Sequence, residues 1–477
     1  MEKTMGKVIG NPTTTPINIQ NFKGKASAIN NKASGKGIHI TDSSESSLNN
    51  LIIYGKTTQA AEPTLEAPQE LVSVGAEPFN VYVTGNNLFK PYAISCSSLE
   101  WGDRKPSTSQ ATTKNDWGVK INSISYNNEI GIIATQEDTQ TDGVTPAKSD
   151  GINGFFYMYF NTSAYYNYND WYTFIADVEV LENKHPEQSM NLLLRGTTLP
   201  NTSVNLKGNK DRIVARVKAT SVEDVPHRRR IEMVTYGKSL SLKNIMWLPG
   251  DWTANPPEYE DYKEQVLSVE AKSTTGNAEN RAGLVAVPVE SGGNYTDETG
   301  QHWVANTLDF ANGKHNKRVL GRIILPTGWY VSENQLSTDG NITYCRYFDS
   351  WNYGGFSNVL SNYFPYKIEP TTGQGIWISD AGDGKCILNI TTSIPSVEEL
   401  ESFISTNRPY VYYMPGTNIP ASLSDEEIAA YQSLKTNYPI TRVVNDVDAG
   451  MEVEYVADTK NYIDNKFAEL TALTLEG

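Results

Sequence analysis

Short runs that alternate apolar and polar residues recur along most of the chain, and Gly, Asn and Asp separate them. Between about Asn87 and Tyr262 these runs include WGVKINSISY, GIIATQ, WYTFIADVEVLE, RIVARVKATS and LKNIMWLP. Strands at this spacing, without intervening helical patterns, are typical of a β-sandwich. A second series, from about Val266 to Gly416, includes GLVAVPVE, HWVANTLDF, RVLGRIIL and KCILNITT. The pattern predicts a mainly β, multi-domain protein.

One run shows the alternation clearly enough to assign its faces. In WYTFIADVEV the apolar residues that share one strand face are Tyr172, Phe174, Ala176, Val178 and Val180. The residues on the opposite face include Thr173, Asp177 and Glu179. A period of two is expected when one face covers a core and the other meets solvent.

Two capping boxes and one hairpin are predicted in the second region. Ser396 to Glu399 and Ser424 to Glu427 both read S-x-x-E, in which the serine accepts the N3 amide proton and the glutamate returns to the N-cap amide. We expect two short helices that pack onto a sheet. The run NYTDETGQHW predicts a hairpin whose turn contains Asp297 to Gly300.

The pattern divides the chain into five segments. They are a polar leader or attachment segment (1–48), a small β connector (49–86), a sandwich module (87–262), a second β-rich domain with two capped helices (266–455) and a C-terminal helix (456–477). In the last segment Val456, Ile463, Phe467 and Leu470 have near-heptad spacing. That helix either self-associates or docks on its own domain.

Length and charge narrow the class of protein. A chain of 477 residues exceeds the roughly 250 to 300 at which one core stops growing. The net charge of -15 disfavours nucleic acid as a partner, because phosphate binding needs clustered Lys and Arg. The one basic cluster, His227 to Arg230, is interpreted as a solvated strand end.

No apolar run is long enough for a signal peptide or a membrane span, so we expect synthesis in a cytoplasm without membrane insertion.

Motifs for cofactor or metal chemistry are lacking in the sequence. The five histidines (His39, His185, His227, His302 and His315) form no pair at metal-ligand spacing, and no P-loop, G-x-S-x-G or G-x-G-x-x-G occurs. DAGDGK (380–385) and NDVDAG (445–450) differ from a calcium loop in spacing, which favours tight turns and gives a structural Ca²⁺ no support. We predict no cofactor. Cys96, Cys345 and Cys386 fit buried thiols better than a disulfide framework or a zinc site.

Acidic residues leave one enzymatic hypothesis open. A glycosidase needs two carboxylates about 5 to 10 Å apart across a cleft. Acids in the region from Asp297 to Asp309, or Asp349, are the candidates. Exposed acids in turns are far commoner than catalytic ones, so we expect no catalytic residues.

The stretch YMYFNTSAYYNYNDWYTF, from Tyr157 to Phe174, is unusually aromatic. Its first half is apolar on both strand faces, which predicts a buried strand. Its second half combines aromatic rings with hydrogen-bonding groups, as sugar-binding surfaces do. The candidate carbohydrate-binding residues are Tyr165, Tyr166, Tyr168, Asn169, Asp170 and Trp171. The alternative is that these tyrosines pack under a loop or against a neighbouring subunit.

Three longer segments resemble tail-fibre and minor structural proteins of phages and prophages that infect Gram-positive bacteria. They run from Ser46 to Gly75, from Gly283 to Gly313 and from Leu423 to Leu470. Between them, NLFKPY through NPPEYEDYKEQ is similar to the carbohydrate-binding jelly-roll modules of such proteins. Leu248-Pro249-Gly250 departs from these modules, which often have an acidic residue before the glycine, so no role of that acid is transferred.

The resemblance implies a virion tail component near the baseplate or fibre, usually a homotrimer, that contacts other tail proteins and host surface glycan. The expected function is structural and adhesive. Two alternatives remain at this point: a tail-associated glycan depolymerase or wall hydrolase, and a purely scaffolding tail subunit.

Overall fold

The fold is taken from a computed structural model of the chain. The residues that the structure describes are 23–28, 38–40, 45–89, 94–95, 109–110, 121–127, 131–136, 154–158, 171–184, 186, 191–195, 202–205, 209–218, 230–233, 238–270, 283–297, 299–333, 337–352, 358–382, 385–438 and 440–456. Within them the protein is mainly β, as predicted, with several separate sheets and two helices.

The first six strands precede the region predicted as a sandwich. They are β1 (Lys23–Ala28), β2 (Ile38–Ile40), β3 (Asn50–Tyr54), β4 (Thr57–Thr58), β5 (Val72–Ser73) and β6 (Phe79–Thr84). β4 and β5 pair only with each other among the described strands.

The next strands form two antiparallel sheets, which is compatible with a sandwich. They are β7 (Ile94–Ser95), β8 (Ser109–Gln110), β9 (Ile121–Asn127), β10 (Gly131–Gln136), β11 (Gly154–Met158), β12 (Trp171–Asn183), β13 (Asn191–Arg195), β14 (Thr202–Asn205), β15 (Lys210–Lys218), β16 (Arg230–Met233) and β17 (Lys238–Pro249). Their orders are β15-β12-β17-β10-β9-β8 and β14-β13-β16-β11-β7. The strand predicted at the start of the aromatic stretch is present as β11.

The remaining elements carry both helices. The strands are β18 (Glu264–Val269), β19 (Ala286–Val289), β20 (Tyr295–Thr296), β21 (His302–Ala305), β22 (Thr307–Asp309), β23 (Lys314–Lys317), β24 (Leu320–Ile324), β25 (Tyr330–Val331), β26 (Ile342–Asn352), β27 (Val359–Ser361), β28 (Gly375–Gly382), β29 (Lys385–Thr392), β30 (Tyr410–Tyr413), β31 (Ile419–Ser422), β32 (Thr441–Asn445) and β33 (Gly450–Val456). The helices are α1 (Val397–Asn407) and α2 (Asp425–Gln432).

Strands from the two ends of the chain share two sheets. One sheet has the order β1-β33-β3-β22-β23-β31 and the other β18-β6-β32-β2. Leu51 lies opposite Val453, and Val83 lies opposite Val443. These apolar residues pack in one cluster, so burial of the same core holds both ends together. The sheets therefore cross the predicted boundaries at residues 48 and 86, because a local pattern contains no information about distant strand partners.

The region between β6 and β18 is inserted between two paired strands. Thr84, the last residue of β6, lies opposite Glu264, the first residue of β18. The chain therefore leaves the sheet at the end of β6 and returns to it beside the same point, at the start of β18. The C-terminal helix predicted for 456–477 lies outside the described residues, apart from Val456, which ends β33.

The two capped helices form as the sequence predicts, with one difference between them. Ser424 accepts from Glu427 N and the Glu427 carboxylate accepts from Ser424 N, which completes a capping box. At Ser396 only the serine half is present, with Glu399 N donating to the Ser396 side chain. Helix α1 packs Leu400 and Ile404 into a core that includes β26, β28 and β29.

Strand β12 corrects the prediction of one solvent-facing side. Tyr172 and Phe174 are buried as predicted, but Thr173 and Ile175 on the opposite face are buried as well. Ile175 packs there with Met246 and Leu248, in a cluster not anticipated from the alternation. On that face Trp171 is exposed and Asp177 is partly exposed, whereas Thr173 and Ile175 between them are buried. The segment after β17 folds back over β12 at Thr173, so this part of the strand is covered on both sides.

Candidate functional site

Of the six candidate carbohydrate-binding residues, the structure describes one. Trp171 is the first residue of β12, and its side chain is 40% exposed. Tyr165, Tyr166, Tyr168, Asn169 and Asp170 lie outside the described residues. The candidate site therefore consists of Trp171 and the residues around it.

The Trp171 ring is stacked against a charged group from the neighbouring strand. The guanidinium carbon of Arg216, on β15, lies 3.7 Å from the centre of the indole ring. Arg216 Nη1 also lies 3.1 Å from Asp251 Oδ2. Strand pairing explains the placement, since Trp171 lies opposite Lys218 and Thr173 lies opposite Arg216. Cation-π contacts at exposed sites contribute about 0.5 to 1 kcal/mol, so the stack restrains both side chains.

The segment that carries Asp251 is fastened to β12 by hydrogen bonds. Gly250 N donates to Trp171 O at 2.7 Å. The Thr173 hydroxyl donates to Gly250 O and accepts from Trp252 N, both at 2.9 Å. The Trp252 indole NH donates to Pro249 O, and its ring packs against the small apolar cluster on this face. Gly250 has φ of +92°, a conformation that favours glycine.

The carboxylate of Asp251 is held in its ionised form. Thr253 donates to Asp251 Oδ1 from its hydroxyl at 2.6 Å and from its backbone amide at 3.1 Å. These bonds, with a smaller contribution from Arg216, lower the pKa of Asp251 below its ordinary value. At neutral pH the carboxylate therefore acts only as a hydrogen-bond acceptor.

Trp171, Arg216, Asp251 and Trp252 are here called the Trp171 cluster. The Arg216 guanidinium covers one face of the Trp171 indole, and the Asp251 carboxylate lies next to that guanidinium. Such a combination can stack on the C-H face of a pyranose and exchange hydrogen bonds with its hydroxyls. The sequence pointed to Trp171 through local aromatic content. It gave no signal for Arg216 or Asp251, since both depend on strand register and on the return of the chain after Gly250.

Asp297 and Asp309, two of the acids considered for hydrolysis, are engaged in turns. Asp297 Oδ1 accepts from Thr299 N, the Thr299 hydroxyl and Gln301 N, and Oδ2 accepts from the Trp303 indole at 3.0 Å. These bonds lower its pKa despite the opposing effect of desolvation, the largest single contribution. Asp309 accepts from the backbone and side chain of Asn312. Asp297 anchors the predicted hairpin, which β20 and β21 form. The side chain of Asp349 lies outside the described residues.

Both segments compared with calcium loops contain short-range hydrogen bonds that are typical of turns. In the first, whose residues 383 and 384 lie outside the described residues, Gly382 N donates to Asp380 Oδ1 at the end of β28. In the second, Val447 N donates to Asn445 Oδ1, and Asn445 Nδ2 donates to Ala449 O. No group of three or more His, Cys, Asp or Glu side chains suited to a metal ion occurs among the described residues.

Two further findings concern the cysteines and the membrane. Cys345 and Cys386 are free and buried, as predicted, and burial raises the pKa of both thiols. Cys96 lies outside the described residues. In the part of the chain that the structure describes, neither helix has the length and apolar character required to span a bilayer.

No protein-family model matches the chain, and no curated protein sequence matches it.

Proposed function

We propose that the chain is a structural phage tail protein, of the fibre or baseplate, that contributes to host recognition by binding cell-surface carbohydrate. The tail assignment is supported by the three segments that resemble tail-fibre and minor structural proteins. The joined terminal sheets, which would form a firm attachment, are compatible with it. Homotrimer formation and contact with other tail proteins belong to the same proposal.

The observation that carries the carbohydrate-binding role is the exposed Trp171 ring, held in place by Arg216 and Asp251. A ligand that immobilises an exposed side chain binds less tightly, because the side chain loses conformational entropy. Stacking on Arg216 already restrains the Trp171 ring, so this entropic cost is smaller. The cluster directly follows the segment 165–170, whose tyrosines, Asn169 and Asp170 have the same chemistry. Residues 165–170 lie outside the described residues and belong to the proposed site on the chemistry of their sequence alone.

Binding to an array of bacterial surface glycans tests the adhesive role. Trp171→Ala should reduce affinity about tenfold or more, with an unchanged thermal unfolding midpoint. Tyr259→Ala is a matched control, because it removes an aromatic ring of similar exposure outside the cluster. Glycan binding that is equal in Trp171→Ala and the wild-type chain would contradict the assigned site.

The virion role needs a separate experiment. Mass spectrometry of purified particles, followed by reconstruction of the intact tail, should find the chain at the tail tip or fibre. Its absence from particles, together with its presence in infected cells, would contradict the tail assignment. The same preparations report on the depolymerase alternative, which requires release of new reducing ends from host wall or capsule.

A further inference from the structure

A second aromatic surface lies on the sheet with the order β25-β26-β29-β28, far along the chain from Trp171. One face of this sheet is part of a core, to which β26 contributes Tyr344 and Phe348. Side chains alternate along a strand, so Cys345 and Tyr347 lie on the other face of β26. Tyr330 of β25 lies directly opposite Cys345 and therefore shares that face.

Tyr330 and Tyr347 form a stacked pair on this face. Their ring centres are 5.8 Å apart and their planes differ by 16°. Tyr330 is 39% exposed and Tyr347 is 57% exposed. Stacking restrains both rings, so the pair presents an ordered aromatic surface to solvent rather than two independent mobile side chains.

The rest of the face is polar or covered. Ile387 and Ser379 follow Tyr347 across β29 and β28, and Asn389 lies beside Cys345. Asn389 Nδ2 donates to the Ser379 hydroxyl at 2.9 Å. Toward the other end of the face, Gly375 is in close contact with Pro370 and Lys367. Asn389 is buried, so the open part of the face is the tyrosine pair with the half-buried Ser379 hydroxyl near it.

The chemistry of this surface selects a class of ligand. Aromatic rings with hydroxyl groups beside them bind the C-H faces and hydroxyls of sugars. On this face, none of the strand positions that surround the pair on β26, β29 and β28 is Lys or Arg. Lys385 lies at the start of β29. A net charge of -15 repels polyanions such as polyglycerol phosphate.

We propose that Tyr330 and Tyr347 form a second glycan-binding platform, which takes neutral pyranoses of the bacterial surface. This inference rests on the proposed adhesive function and extends it. Two modest sites on one chain raise the effective concentration of the second contact once the first has formed. Repetition of the chain in a virion multiplies that effect.

The test uses the full chain on an array of neutral oligosaccharides built of hexose, rhamnose and N-acetylhexosamine, with polyglycerol phosphate as the polyanionic probe. Tyr330→Ala and Tyr347→Ala should each weaken binding to neutral glycans about tenfold. Tyr347→Phe, which keeps the ring, should stay within about twofold of wild type. Tyr438→Ala, at a position of similar exposure outside the sheet, is the control.

Hydrogen exchange with saturating oligosaccharide gives a local measurement. We expect protection of the peptide 342–348 in the wild-type chain and in Trp171→Ala. Wild-type binding with no protection there, and with no effect of the tyrosine variants, would overturn the second platform while leaving the proposed function in place. A wild-type chain that binds none of the glycans would overturn both. Binding of polyglycerol phosphate that depends on Tyr347 would contradict the neutral ligand class.

Discussion

Asn87 donates two hydrogen bonds to Glu260 where the inserted region begins and ends. Asn87 N donates to Glu260 Oε1 at 2.7 Å, and Asn87 Nδ2 donates to Glu260 O at 2.9 Å. Asn87 Oδ1 also accepts from Phe89 N and Trp247 N. One buried side chain therefore ties the outgoing segment, the returning segment and strand β17.

Replacing Asn87 with alanine should destabilise this junction. Asn87→Ala leaves the buried amides of Phe89 and Trp247 without the acceptor they have in the wild-type chain, at a cost of about 2 to 4 kcal/mol. Denaturant unfolding measures the change. Asn418→Ala is the control, because its exposed side chain donates only to Asn316 and should cost less than about 0.5 kcal/mol. Equal effects of the two variants would contradict the junction role.

His315 should make the terminal sheets sensitive to acid. Its ring is buried on β23, opposite Leu308, and its Nε2 has no hydrogen-bond partner among the residues that the structure describes. Burial, with a smaller contribution from Lys317, lowers the pKa of His315 to about 4. An unfolded histidine titrates near pH 6.5, so the unfolded chain takes up a proton that the folded chain does not.

The stability from neutral His315 is therefore complete above about pH 6.5 and decreases as the pH falls toward about 4, by about 3 kcal/mol in total. His315→Leu should lack this part of the decrease. Denaturant unfolding at pH 7 and pH 4.5 for both proteins provides the measurement. Parallel losses of stability in the two proteins would show that His315 does not titrate in this range.

Gly450 should resist substitution because a tyrosine occupies the space of a side chain. A Cβ atom at Gly450 would lie 2.5 Å from Cε2 of Tyr295, whose ring is stacked on Tyr54. Gly450→Ala should cost about 1 to 3 kcal/mol through overpacking. In a double-mutant cycle with Tyr295→Ala, the alanine at 450 should become nearly neutral. Full additivity of the two changes would contradict the contact.

The two helix caps should differ in their contributions. Ser424→Ala removes the acceptor of Glu427 N and the hydroxyl that donates to Glu427 Oε2, and should cost about 1 to 2 kcal/mol. Ser396→Ala removes one bond and should cost about 0.5 to 1 kcal/mol. Thermal or denaturant unfolding of the two variants can rank them. A larger loss for Ser396→Ala would contradict the difference seen between the caps.

Features that depend on neighbouring residues could be predicted from the sequence. The helix starts at Ser396 and Ser424 and the turn at Asp297 follow from side chains that bond to amides two to four positions away. The pairing of β1 with β33 could not be predicted, since many apolar strands could have filled either position. Contact between distant strands is decided by the fit of the whole core rather than by the pattern of one strand.

The candidate site also combines a feature that is predictable from neighbouring residues with contacts that depend on distant strands. Trp171 was identified from the density of aromatic residues in its segment. Arg216 reaches it only because β12 and β15 pair in one register, and a shift of one residue would turn Arg216 to the opposite face. Thr173 was expected on a solvent-facing side, but its hydroxyl is buried by bonds to the segment after Gly250.

The insertion between Thr84 and Glu264 has a consequence for how such a chain can change over generations. Strands β6 and β18 pair with each other where the chain leaves and returns. Recombination could therefore exchange the whole intervening module through two breakpoints that lie side by side in this strand pair. The hydrogen bonds between β6 and β18 would remain, and the new module would connect to the same two strand ends. The inserted module could then vary as a replaceable part while the sheets formed by the two ends of the chain stayed the same.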